Sequence, residues 1–185
     1  MSLLRFCEWL AATPGSEALH TSLYVYQLVS TVHVVTLFLF VGTAAVLDLR
    51  LLGAVLVRVP ASEVAARLRP WTTLGFVLMA ISGALLFYAN PTPRYQNLFF
   101  RFKMLVLAVA GLNAWIFHTR TYRNVATWDL DRVPPRGARM AGAFALAFWA
   151  ILIVSGRMIA YDWFACRRPQ PPIVRLLAGC EARPR

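Results

Sequence analysis

The sequence predicts an all-α integral membrane protein, a four-helix transmembrane bundle with a short interfacial helix at its N-terminal end. Three observations carry that reading. Of the 185 residues 59% are hydrophobic and only 15% charged, against about half and a quarter in soluble domains. Residues 23–47 hold 25 consecutive positions without Asp, Glu, Lys or Arg, and residues 71–89 hold 19 more. Runs of that length are enough to cross a hydrocarbon core.

Taken in order, residues 2–12 read as a short interfacial helix with Phe6, Trp9 and Leu10 towards lipid. A Glu8 beside Trp9 and the break at Thr13-Pro14-Gly15 argue against a cleavable signal peptide here. The first span is 23–47. The second, 71–89, begins after Pro70, a good first-turn residue. The third, 99–119, has an uncharged centre from Met104 to Phe117, with Arg101 and Lys103 placed to snorkel from its entry end. The fourth, 141–161, is uncharged as far as Gly156 and then carries Arg157. Residues 1–165 thus form one membrane domain, and 166–185 an Arg/Pro-rich tail expected to be loosely ordered.

The net charge of +11 suggests nucleic acid until its placement is considered. The basic residues lie between apolar runs and in the tail, as flanks that orient membrane helices, so the expected partner is the lipid bilayer and not nucleic acid. Connections 48–69 and 120–139 carry nine arginines between them. The other side carries seven basic residues near the spans: Arg5, Arg94, Arg101, Lys103, Arg167, Arg168 and Arg175. The positive-inside rule then puts both termini in the periplasm. Cys7, Cys166 and Cys180 are too scattered for a metal motif and read as ordinary cysteines near the membrane surface.

Ionisable groups inside a bilayer are costly, so each calls for a reason. His33 lies near the middle of the first span, and Arg157 sits in the half of the fourth span nearest the termini. With Gln27, Tyr88, Lys103 and Tyr161 further out, they outline a basic, aromatic-edged pocket floored by His33. Imidazole ligates haem iron, and a nearby arginine pairs with a propionate. The same residues suit a quinone, a metal or a proton relay. The alternative is packing glue, with His33 bonded to Ser30, Ser82 or Asn113 on a neighbouring helix. His118, a second possible iron ligand, lies near the far end of the third span. His20 reads as interfacial, and Met79 and Met158 as core. Asp48 and Arg50 read as a charge cap where the first span meets the headgroups.

The segments "EWLAATPGSEALHTSLYVYQLVSTVHVV", "VGTAAVLDLRLLG", "RPWTTLGFVLMAISGALLF", "YQNLFFRFKMLVLAVAGLNAWIFH" and "SGRMIAY" occur in this order. Together they resemble a family of small bacterial four-helix membrane proteins of unknown function, over nearly the whole chain to about Asp162. More distantly, they are similar to copper-resistance-D-type domains and membrane b-type cytochromes. The resemblance implies that His33, Asp48, Arg50, Lys103, Asn113, His118 and Arg157 occupy motif positions. One departure is Gln27, in "YVYQL", where the pattern often has proline after the aromatic. The function expected is a bacterial inner-membrane subunit that binds haem b or is otherwise redox-linked, passing electrons to a partner or a quinone and able to form a homo-oligomer. A non-redox scaffold or transport-associated protein is the alternative. No nucleophile–base pair or phosphate loop points to hydrolysis.

Overall fold

A computed structural model describes residues 3–180. It contains α1 (Leu3–Ala11), α2 (Pro14–Thr21), α3 (Val25–Leu52), α4 (Ala61–Ala89), α5 (Pro91–Tyr95), α6 (Leu98–Ile116), α7 (Arg136–Ile159) and α8 (Pro172–Ala178). Four helical stretches are long and apolar enough to cross a membrane: α3, α4, the run Leu98–Thr127 that α6 begins, and α7. No β-strand is found among the described residues, only an isolated bridge between Asn97 and Ala165. The all-α, four-span expectation holds.

The spans pack in the order α4, α3, α7, α6. The most extensive contact is α3 on α4, followed by α6 on α7 and α3 on α7. Among the described residues α4 and α6 barely touch, and the ring stack of Phe87 on Phe100 joins them at the end nearest the termini. Lipid supplies little hydrophobic drive between helices, so close approach depends on small residues. A Cβ on Gly75 of α4 would lie 2.8 Å from the Phe40 backbone nitrogen of α3. One on Gly142 of α7 would lie 2.7 Å from the Asp48 carbonyl oxygen.

Several boundaries differ from expectation, and each has a local cause. The first span runs to Leu52, not residue 47. It ends where Gly53 adopts φ 76° and its N–H, with that of Ala54, bonds back to the carbonyls of Arg50 and Leu49. α4 begins nine residues ahead of Pro70, which therefore lies inside the helix. The early turns survive because Ala61 and Val64 are buried, Ala61 against Trp128. Glu63 and Arg67 add an ion pair one turn apart, at 2.6 Å. The third span leaves α-geometry at Phe117, passing through a π-turn (Phe117–Thr121) and a 3₁₀ segment (Tyr122–Thr127). The fourth starts at Arg136 rather than 141.

The chain before the first span folds as two helices. α1 exposes Leu3, Phe6 and Trp9 and turns Cys7 inward at 1% exposure, while Leu10 is half-buried. Burial pushes the Cys7 thiol above its usual range; Arg101 opposes that shift and Glu8 adds to it. α2 is tied to α4 at Tyr88, whose carbonyl accepts from Ser16 Oγ at 2.7 Å and whose hydroxyl meets Thr13 Oγ1 at 2.9 Å.

The tail departs furthest from expectation. Cys166 and Cys180 form a disulfide, so only Cys7 is a free cysteine among the described residues. α8 is held over the entry to α6 by Arg101, which donates to the carbonyls of Leu177 (2.6 Å) and Ala178 (3.0 Å). Gln96 adds a bond to the Gly179 carbonyl. The five residues after Cys180, part of the expected tail, lie outside the described residues.

Candidate functional site

His33 is half-buried on α3 and turned towards α4. Its Nδ1 lies 3.1 Å from the Met79 carbonyl oxygen and 3.1 Å from Ser82 Oγ. Ser82 Oγ itself donates within α4, to the carbonyls of Leu78 and Met79 at 2.7 and 3.1 Å. Both acceptors therefore require the proton on Nδ1, which leaves the Nε2 lone pair of the neutral ring without a partner among the described residues. Position 83 is glycine because the imidazole lies against it: a Cβ there would come within 3.1 Å of His33 Cε1.

The other expected pocket residues are only partly brought together. Lys103, half-buried on α6, lies across Gly156 of α7, with its Nζ 3.4 Å from where a Cβ would be. Arg157 is exposed, its guanidinium 5.2 Å from the centroid of the Tyr161 ring, as expected of a cation reaching for the headgroup layer. Gln27 is exposed, and Tyr88 anchors α2 instead of edging a pocket. Asn113 reaches across from α6 and donates to the Ala141 carbonyl of α7 at 3.1 Å.

His118 falls in the π-turn, exposed and stacked on Tyr122 with ring centroids 5.5 Å apart. That turn packs beside Gly137 at the start of α7, whose next turns approach Asp48. His33 is fifteen residues before Asp48 on α3, a rise of about 22 Å. The two histidines thus occupy different depths, and one chain does not bring them to a common iron. No group of three or more His, Cys, Asp or Glu poised for a metal occurs among the described residues.

Asp48 and Arg50 do not form the expected surface cap. Arg50 is fully buried, at 0% exposure. Its Nε donates to the Val59 carbonyl at 2.9 Å, and its Nη2 donates to the carbonyls of Asp129 and Asp131 at 3.2 and 3.3 Å. The guanidinium thereby fastens both loops at that end of the bundle to the first span. Its Nη1 is buried without a partner among the described residues. Asp48 faces the other way, and its Oδ2 accepts from Trp149 Nε1 of α7 at 2.9 Å.

Sequence reasoning missed three further polar residues. Asn97, at 1% exposure, caps α6 by accepting from the N–H groups of Phe99 and Phe100, and its Nδ2 reaches the Ile159 carbonyl. Asp129 accepts from the backbone N–H of Ser62 and from its hydroxyl. Trp149 is the partner of Asp48. Only Asn97 carried a readable signal, a capping residue directly before an apolar run.

A family model described as a family of unknown function (DUF6644) matches residues 8–162, and the chain belongs to that family. No curated protein and no solved structure matches the chain.

Proposed function

We propose that this multi-pass membrane protein is a redox-linked subunit of the bacterial inner membrane, with His33 as its cofactor-facing group. The observation that carries the reading is the fixed imidazole. Nδ1–H is held by a backbone carbonyl and a hydroxyl, and Nε2 is left as an oriented lone pair with no partner among the described residues. That is the arrangement by which proteins prepare a histidine to ligate a metal. Haem b is the cofactor proposed, supplying one-electron chemistry when bound, with electrons passing to a partner or to a quinone. Lys103, nearby on α6, is the cation offered to a propionate. His118 is too far along the bundle to be the second ligand from the same chain.

The orientation proposed places both termini in the periplasm. Two features support it: nine arginines in connections 48–69 and 120–139, and the Cys166–Cys180 disulfide on the terminal side, where an oxidising compartment would maintain it.

A second reading is a non-redox scaffold or transport-associated protein, favoured by the way polar side chains pair between spans. His33 with Ser82, Thr72 with Thr43, Asn113 with the Ala141 carbonyl, and Asp48 with Trp149 each join two spans. Absorption spectra of the purified protein separate the two. The redox reading expects a Soret band and a reduced α-band that His33→Ala abolishes and His118→Ala preserves. Folded protein that is colourless and takes up no added haemin refutes it.

A further inference from the structure

α8 depends on a covalent bond to stay in place. It spans seven residues, too few to hold helical geometry alone in water. Only Val174 and Ala178 are buried on it, while Ile173, Leu176 and Leu177 are exposed. Beyond these stand the bonds from Arg101 and Gln96 to its last carbonyls and the link between Cys166 and Cys180. Closing a loop of this length favours the folded arrangement on the order of a hundredfold. The Cys166 end is anchored independently: Ala165 is buried and bridged to Asn97, and the Phe164 carbonyl accepts from the N–H of Leu98. The arm that relies on the disulfide is therefore α8.

The bond is also within reach of an attacking thiolate. Cys166 and Cys180 are both half-buried rather than enclosed, whereas the free Cys7 is shut away at 1% exposure. The charges beside the two sulfurs differ. Arg167 and Arg168 follow Cys166 directly, and both are exposed. Near Cys180 the charge is mixed: Arg101 Nη2 lies 3.8 Å from where a Cβ on Gly179 would be, and Glu181 comes next in the sequence. Neighbouring cations stabilise a departing thiolate, which makes Cys166 the better leaving group.

We propose that Cys166–Cys180 is a thiol-exchange site for a dithiol partner, and that its reduction releases α8. One thiolate of the partner attacks Cys180 Sγ, forming a mixed disulfide as Cys166 leaves. The partner's second thiolate then attacks its own sulfur in that mixed disulfide, and Cys180 leaves. Two electrons and two protons pass from the partner, which ends as a disulfide, to the two cysteines, which end as thiols. Arg101 then loses the carbonyls of Leu177 and Ala178 and keeps that of Tyr95. This inference does not depend on the His33 reading.

The test uses the full chain in lipid nanodiscs with dithiothreitol as the dithiol. Maleimide labelling counts the thiols released, and hydrogen exchange follows residues 172–178. The pair should be reduced with the spans still folded and Cys7 unlabelled, and exchange in α8 should rise on the order of a hundredfold. C166S/C180S should show the same fast exchange without reductant. Exposed charges act weakly through water, so R167Q/R168Q should slow reduction roughly threefold. R120Q/R123Q, which removes equal charge from a distant loop, should leave the rate unchanged. Reduction only after the spans unfold, or reduction that leaves α8 protected, would overturn the proposal. So would a rate undiminished in R167Q/R168Q or equally slowed in R120Q/R123Q.

Discussion

Replacing Arg50 by methionine keeps most of the side-chain volume and removes every donor. In the native chain those donors satisfy the carbonyls of Val59, Asp129 and Asp131, all from a side chain with no solvent exposure. A buried carbonyl that loses its partner costs about 1–3 kcal/mol, so three set a ceiling near 9 kcal/mol. The cost here falls well below it, because Val59 and Asp129 are half-buried and Asp131 is exposed to water that can replace the guanidinium. Against that stands the relief of no longer burying a charge whose Nη1 has no partner among the described residues. A net loss of about 3 kcal/mol follows, roughly a hundredfold in the unfolding equilibrium. Arg50→Lys should lose about half as much, because one ammonium keeps the charge and cannot span the same three acceptors. Unfolding in mixed detergent micelles titrated with SDS measures both, and limited proteolysis of the two loops should show them released together. An Arg50→Met protein within about 0.5 kcal/mol of wild type, with both loops still protected, would show that the guanidinium is not what holds them.

Gly75→Ala should lose about 1–3 kcal/mol in the same titration, since the new Cβ meets the Phe40 backbone. Gly111→Ala, where nothing lies within 4 Å, should lose nothing; equal losses would refute the close approach of α3 and α4. A phosphatase fused after residue 180 should be active in the periplasm and one inserted within 120–139 should be inactive, and the reverse pattern would invert the orientation. Burial raises the folded Cys7 thiol above its ordinary value near 8.5, so folding retains a proton that the unfolded chain gives up as pH rises past that value. Stability should be level below that range and decline through it towards the folded value, and the decline should be smaller in Cys7→Ala. An identical pH profile in the variant would refute the assignment.

The spans were legible because a helix with one face in water carries charge every turn or two, and uncharged runs of nineteen and twenty-five residues leave no such face. Their ends were not, because a charged residue does not by itself mark where a helix leaves the membrane. Arg50 carries a full charge and still sits inside the packed end of α3, its cost offset by carbonyls contributed by residues 9 to 81 positions away. Such partners have no local signature. Pro70 misled in the opposite direction: it reads as a first-turn residue, but Ala61, buried against Trp128 of the other loop, and Val64, also buried, extend the helix past it. At the candidate site, the sequence offers Ser30, Ser82 and Asn113 as partners for His33, and the fold selects Ser82. The pairing of Cys166 with Cys180 depended on α8 folding back over α6, which neither cysteine's neighbours foretell.

The latched tail has a consequence for how the protein is made. In the proposed orientation α7 enters the membrane last of the four spans, with Arg136 and Arg139 remaining behind and Arg167, Arg168 and Arg175 passing across. Carrying those three cations outward opposes a potential that is negative inside, at about 2.3 kcal/mol per charge for each 100 mV. Closure of the fourteen-residue loop afterwards would act as a pawl, holding α8 against Arg101 on the far side and opposing any backward slip of the last span. Oxidation of this one cysteine pair would then mark chains whose insertion has finished.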